Sequence, residues 1–246
     1  LADSSRMVIY QHDRGPGGSA HRKGAEMTHT RVSCALIGLA VFGMLGVGAG
    51  AAAAKDPWYR VSEQVQGHPY AYWNAAWARF EWEPGGVKSP LLHPQGCNHA
   101  TVGRVVFLPG PAKGQTISCT LPAGVSVLVP TASALWVHAS PSDTKAVLRR
   151  GSTSTFADTK VLDVSLDGKK IDARQFKDTT GFFLVRPKKG SPIGLTGSRT
   201  AVQSGYNFLL RPLASGTHTI AMHVKLMHGG KTTYEARTTF KLKVGA

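Results

Sequence analysis

The spacing of apolar residues along the chain changes period once, from helical to alternating, and the change falls near Arg104. Before it stands Tyr70 to Trp82, "YAYWNAAWARFEW", with six aromatic rings in a chain otherwise poor in them. Trp73, Trp77 and Phe80 recur at i, i+4 and i+7, a single stripe on a helix, while Asn74, Arg79 and Glu81 lie off it. Pro69 suits a first turn and Pro84-Gly85-Gly86 a stop, so the spacing predicts one short amphipathic helix over about 68–83. Such a helix is marginal alone and needs a surface to dock on. Each ring buries roughly 150–250 Å², so the stripe brings on the order of 10 kcal/mol of apolar transfer at about 25 cal/mol per Å². The stretch therefore reads as core. If it faced a ligand instead, Tyr70, Tyr72 and Trp82, which lie off the stripe, would form the sugar- or base-stacking platform.

After Arg104 the runs "RVVFLP", "QTISCTL" and "VSVLVP" are short, rich in Val and Ile, and separated by Pro and Gly, as strands are. In "VLDVSLDGKKI", Leu162, Val164 and Leu166 alternate with Asp163, Ser165 and Asp167 ahead of an Asp167-Gly168 turn, which predicts a hairpin. A longer hairpin closes the chain around Gly229-Gly230. Ile220, Met222, Val224, Leu226, Tyr234, Ala236, Phe240 and Leu242 point inward, and Thr219, His223, Lys225, Glu235, Arg237, Lys241 and Lys243 point outward. Short strands at this spacing predict an all-β fold, an antiparallel β-sandwich with one N-terminal helix packed on it. A division near Asp143 is the alternative to a single domain, and no internal repeat is present.

Upstream of the helix, Val32 to Ala54 is an uncharged run that follows Arg31 and ends in small residues. Its strongly apolar part, Val32 to Leu45, has the length of a signal h-region rather than of a bilayer span, and Ala52-Ala53-Ala54 fits the small-x-small cleavage rule. Residues 27–54 are thus predicted to be an export signal, 1–26 an upstream segment that is non-native or disordered, and 55–246 a single mature domain without a transmembrane helix. Cys34 leaves with the signal, so Cys97 and Cys119 remain as a pair in an oxidising compartment and are predicted to form a disulfide. Closing a loop of this length contributes about 3 kcal/mol. The close C-x-x-C spacing of a zinc site is missing, and no metal or cofactor is expected.

Twenty-nine Lys and Arg against 14 Asp and Glu give a net charge of +15. Between Lys145 and Arg199 lie 12 basic residues, among them Arg149, Arg150, Lys169, Lys170, Arg186, Lys188 and Lys189, which are the candidate contacts to an anionic partner. For an exported protein such a partner is an anionic cell-wall polymer or another polyanion. Specific nucleic-acid binding is not expected, because these clusters do not interleave aromatic residues.

Catalytic signatures are sparse. No G-x-S-x-G elbow occurs. Glu81 and Glu83 form the best carboxyl pair, yet i, i+2 neighbours on a helix face different ways, whereas a glycosidase needs its two carboxyls on opposite sides of one cleft. His218 and His223, five apart on a strand, fall on opposite faces and cannot share a metal. His218 has the parity of Ile220 and is expected to be hydrogen-bonded at the strand start.

Taken in order, "VQGHPYAYWNAAWARFEWEP", "QGCNHATVGRVVFLPG", "SCTLPAGVSVLVP", "DGKKI" and "GYNFLLRPLASGTHTI" resemble a family of uncharacterised secreted bacterial proteins, found especially in actinobacteria. Members run from a Tyr-Trp-Trp segment through a Gly-Cys pair and a Cys-x-x-Pro-Ala-Gly turn to a Pro-Leu-x-x-Gly-x-His-x-Ile motif. The resemblance spans Val65 to Val224. Here the double Trp is Ala76-Trp77, and the acidic residue that precedes Gly96-Cys97 in the family is missing. The resemblance implies secretion and a shared fold, with no assigned activity. The sequence thus points to a secreted, non-catalytic β-sandwich that associates with anionic surfaces or polymers. The alternative is a carbohydrate-active hydrolase or sugar-binding module that uses residues 70–82.

Overall fold

The computed structural model describes residues 56–92, 97, 99–111, 114–228 and 231–245; the export signal expected at 27–54, the segment before it, and Gly229-Gly230 lie outside these. Helix α1 spans Tyr70–Trp82, followed by strands β1 (Ala100–Val102), β2 (Val105–Phe107), β3 (Gln115–Leu121), β4 (Ser126–Val129) and β5 (Ser133–Val137). Helix α2 (Lys145–Ser154) precedes β6 (Thr159–Leu166), β7 (Lys169–Asp172), β8 (Asp178–Thr179) and β9 (Phe183–Val185). The chain continues through β10 (Arg199–Gly205), β11 (Phe208–Leu210), β12 (Gly216–His228) and β13 (Lys231–Val244).

These strands form three sheets. The first has the order β1-β2-β4-β11, the second joins β5, β10 and β8 with β9 also on β10, and the third has the order β3-β13-β12-β6-β7. Both expected hairpins form. In the first, β6 and β7 pair around Asp167 and Gly168, whose φ values of 50° and 77° explain why the turn wants Asp-Gly. The second, β12 with β13, is the longest ladder in the molecule. Two pairings depart from the expected antiparallel arrangement: β2 joins β4 in parallel, and β3 joins the outer side of β13 in parallel, Ser118 opposite Lys241 and Thr120 opposite Lys243.

The first and third sheets face each other across the main core, where Phe107, Leu128 and Phe208 of one meet Ile117, Val164, Ile220 and Phe240 of the other. The fold is thus all-β, a sandwich with helices added. A smaller core lies between α1 and the second sheet, formed by Ala78 and Trp82 with Leu135, Val185 and Ala201. Helix α1 therefore belongs to both cores. Trp73 and Trp77 enter the main one and Trp82 the smaller one, so the helix is buried on two faces and carries more than the single stripe its spacing predicts. Asn74 and Glu81, which lie off the predicted stripe, are nonetheless only 4% and 1% exposed.

The polar side chains of this doubly buried helix are tied in. Asn74 Nδ2 donates to Asp178 Oδ2 at 2.8 Å, and Asn74 Oδ1 accepts from Asn207 Nδ2 at 3.1 Å. The Trp73 indole N–H donates to the Val65 carbonyl at 3.0 Å and that of Trp77 to the Leu108 carbonyl at 2.8 Å. Burial of these rings satisfies their polar edges as well as their faces.

Helix α2 is the element the sequence does not announce. Its segment, KAVLRRGSTS, holds a central Gly and three hydroxyl residues, all poor helix formers. Tertiary contacts override that propensity: Thr144 caps the N-terminus by accepting from the Val147 N–H, Leu148 and Ser152 are buried, and the helix lies on β5 and β10. The expected disulfide forms between Cys97 and Cys119, with Cα atoms 5.1 Å apart, and ties the segment before β1 to edge strand β3. No helix among the described residues is long and apolar enough to cross a membrane.

Candidate functional site

The aromatic platform does not exist as such. Tyr70 and Trp82 are each only 2% exposed, because α1 is wedged between two cores and has no open face to offer these rings. The Tyr70 hydroxyl accepts from the Leu209 N–H at 2.8 Å and donates to the Asn207 carbonyl at 3.2 Å. Burial pushes the Tyr70 phenol well above its ordinary range. Tyr72 alone is exposed, with its ring stacked on His68 at 4.0 Å between centroids.

The two glutamates hold structure together. Glu81 accepts from the Gly110 N–H at 3.1 Å through Oε1, while Oε2 is buried without a partner; burial pushes its carboxyl up to about 8. Glu83 accepts from the Arg186 N–H at 2.8 Å, and its carbonyl accepts from the Lys188 N–H at 2.9 Å, which fastens the loop after β9 to the end of α1. Neither carboxyl opens on a shared cleft.

All seven basic candidates are exposed, but on three different elements. Arg149 and Arg150 ride on α2, where the Arg149 guanidinium lies over the Phe182 ring at 4.9 Å. Lys169 and Lys170 stand on β7, an edge of the third sheet, and Lys170 is 3.8 Å from Asp163. Arg186, Lys188 and Lys189 occupy the loop held by Glu83. Nearness in sequence does not bring the three groups onto one element.

The outer face of the third sheet brings together residues that the sequence scatters. A shallow open groove of about 700 Å³ crosses it, floored by Ser165, Ala221, Thr239 and Thr116 and walled by His223 and Arg237. The floor exists because four strands in register place small side chains in one row: Ser165 opposite Ala221, Ala221 opposite Thr239, Thr239 opposite Thr116. Arg237 and Thr239 of the groove, and Lys241 and Lys243 beyond it, project from the outward positions of β13. Thr116, Ser118 and Thr120 project from the outward positions of β3. In-register parallel pairing thus aligns a ladder of cations with a ladder of hydroxyls.

Some charges on this face neutralise one another. His223 Nε2 lies 2.9 Å from Glu235 Oε1, and Lys225 Nζ lies 3.4 Å from Glu235 Oε2. The His223 hydrogen bond, aided by Lys225, holds the Glu235 carboxyl below its usual range. Among the described residues, Arg237, Lys241 and Lys243 have no carboxylate or side-chain hydrogen-bond partner. Their charges are available to an anion. Counting runs of neighbouring basic residues misses this set, since its members alternate with buried ones; the period-two pattern of the last strand was the signal that held it.

His218 behaves as its parity predicts, with Nδ1 2.7 Å from Asp167 Oδ2 and Nε2 2.9 Å from the Ala214 carbonyl, on the side of the strand opposite His223. Among the described residues, no group of three or more His, Cys, Asp or Glu is placed to hold a metal ion.

No family model matches this chain, and no curated protein matches it. Among solved structures it has a faint likeness to a cysteine protease inhibitor from Entamoeba histolytica, at 10% identity and a TM-score of 0.21, over 54% of this chain and 99% of that one. A similar likeness, at 9% identity and a TM-score of 0.18 with the same coverage, links it to the solution structure of amebosin. Likeness at that level carries no inference about what this chain binds.

Proposed function

We propose that this chain is a secreted, non-catalytic β-rich protein that associates with anionic polymers through the outer face of its five-stranded sheet. One observation carries the reading: Arg237, Lys241 and Lys243 share the exposed face of β13 with no carboxylate partner among the described residues, next to the hydroxyl row of β3. Unpaired cations fixed on a rigid sheet lose no neutralising contact when an anion arrives, and their field raises the local concentration of polyanions. The Arg149, Lys169 and Arg186 groups add to the general attraction.

Secretion is supported by the apolar run ahead of Lys55, by the Cys97–Cys119 disulfide, and by the resemblance to secreted bacterial proteins. The test is retention of the full chain on immobilised heparin and on a neutral polysaccharide across a salt gradient. Retention on heparin that falls steeply between about 50 and 200 mM salt, with none on the neutral matrix, is the expected result. Equal behaviour on both matrices overturns the reading.

A further inference from the structure

We infer that the natural polymer is a linear phosphodiester chain without bases, a polyol phosphate, lying along β13 with its phosphates between the cations of that strand and the hydroxyls of β3. This rests on the polyanion reading and narrows it.

The first ground is spacing. Outward residues two apart on a strand are separated by roughly 6.6–6.8 Å. Lys241 and Lys243 are one such step apart, Arg237 and Lys241 two, with Thr239 at the step between. Cation positions therefore fall on multiples of a single period. Three bonds of an extended chain span about 3.3–3.6 Å, so a polymer whose phosphates are linked through three-carbon bridges, six bonds per repeat, has a repeat of about 7 Å. That matches the strand. Inorganic polyphosphate, with two bonds per charge, does not.

The second ground is hydrogen bonding. Ser118 lies opposite Lys241, Thr120 opposite Lys243, and Thr116 opposite Thr239, across a strand spacing of roughly 4.7–4.9 Å. A phosphate held by Lys241 or Lys243 is thus within reach of a neutral donor, and where Thr239 stands in place of a cation two hydroxyls face each other. Tetrahedral oxyanions with several acceptor oxygens use such mixed donors well. β3 is the last strand of its sheet, so the hydroxyl row lies at the sheet's edge.

The third ground is what the face lacks. The outward positions of β3, β6, β12 and β13 carry Thr, Ser, Ala, Val, His, Asp, Glu, Lys and Arg, and the aromatic side chains of these strands, Tyr234 and Phe240, are at inward positions. Among the described outward positions, the one ring a nucleic acid strand would meet is the His223 imidazole, already held by Glu235, and no Tyr, Trp or Phe offers a platform for successive bases.

The experiment compares four probes against the full chain at several salt concentrations: poly(glycerol phosphate), inorganic polyphosphate and heparin matched for charge, and a single-stranded oligonucleotide. The variants are K241Q/K243Q and T116V/S118A, all at exposed positions. Poly(glycerol phosphate) is expected to bind about tenfold tighter than the other three, a selectivity that salt-sensitive charge attraction alone does not supply. K241Q/K243Q should lower the slope of log K against log salt by about 1.4, at about 0.7 per phosphate contact. T116V/S118A should weaken poly(glycerol phosphate) several-fold with the slope unchanged, which a purely electrostatic surface would not do. Equal binding of polyphosphate, heparin and poly(glycerol phosphate) overturns the phosphodiester inference and leaves the polyanion reading standing. Tighter binding of the oligonucleotide overturns the base-free polymer. Retention of none of the four overturns both.

Discussion

His218 bridges Asp167 and the Ala214 carbonyl, with Nδ1 2.7 Å from the carboxylate and Nε2 2.9 Å from the carbonyl oxygen. Both ring nitrogens face acceptors, which only the imidazolium satisfies on both sides. The Asp167 hydrogen bond accordingly raises the His218 pKa above its ordinary 6.5, against the pull of burial. For Asp167, burial works to raise the pKa, but hydrogen bonds from His218 and the Thr219 N–H together hold it below its ordinary 3.8. The clamp fastens the β6–β7 turn to the start of β12.

Its pH window follows from those directions. A raised histidine contributes fully below its ordinary value and loses the contribution as pH rises through the folded one; a lowered aspartate contributes above its ordinary value and loses it as pH falls through the folded one. The clamp is therefore strongest between about pH 4 and 6.5. A ¹⁵N spectrum of the ring should show both His218 nitrogens protonated at pH 6. A neutral tautomer at that pH would disprove the clamp.

Glu81 pushes the same way for a different reason. Its carboxyl, ordinarily at 4.5 and raised to about 8 by burial, is neutral in the fold and ionised in the unfolded chain at pH 7. Stability it contributes below pH 4.5 is lost progressively as pH rises toward 8, a cost on the order of a few kcal/mol. The Tm is expected to fall across that interval, and Glu81→Gln is expected to flatten the fall. A Gln variant that keeps the wild-type slope would locate the pH dependence elsewhere.

Gly151 lies under the Trp136 indole. A Cβ there would approach the ring to 2.6 Å, and the ring is held in place by its N–H donating to Thr155 Oγ1 at 3.1 Å. Replacing a helical Gly by Ala ordinarily gains roughly 0.5–1 kcal/mol, whereas overpacking costs about 1–3 kcal/mol. The clash should win, so Gly151→Ala is expected to lower stability by about 1 kcal/mol in urea denaturation. A stabilised variant would mean that α2 lifts off the sheet without penalty.

Reducing the Cys97–Cys119 bond releases edge strand β3, the hydroxyl side of the proposed track, from the segment before β1. The expected loss is about 3 kcal/mol of stability, with weaker binding of poly(glycerol phosphate) in the reduced protein. Unchanged binding after confirmed reduction would show that β13 acts without β3.

What the sequence determined by itself is local. Alternation of apolar and polar residues is a direct imprint of the pleat, so both hairpins, the strands at 105–107, 115–121 and 126–129, and the inward and outward sides of β12 and β13 were legible. The disulfide was legible because, with Cys34 assigned to the expected export signal, the two cysteines left allow one pairing. Tertiary structure decided everything that depends on how many surfaces an element meets. Spacing along α1 reveals a stripe, yet only the second sheet behind it explains why Asn74, Glu81, Tyr70 and Trp82 are buried as well. Helix α2 forms against its own propensity because Leu148 and Ser152 have a sheet to rest on. The alignment of Thr239, Lys241 and Lys243 with Thr116, Ser118 and Thr120 comes from a parallel pairing between distant segments. No local period encodes a pairing of that kind, since its register is set by the core on the opposite side of the sheet.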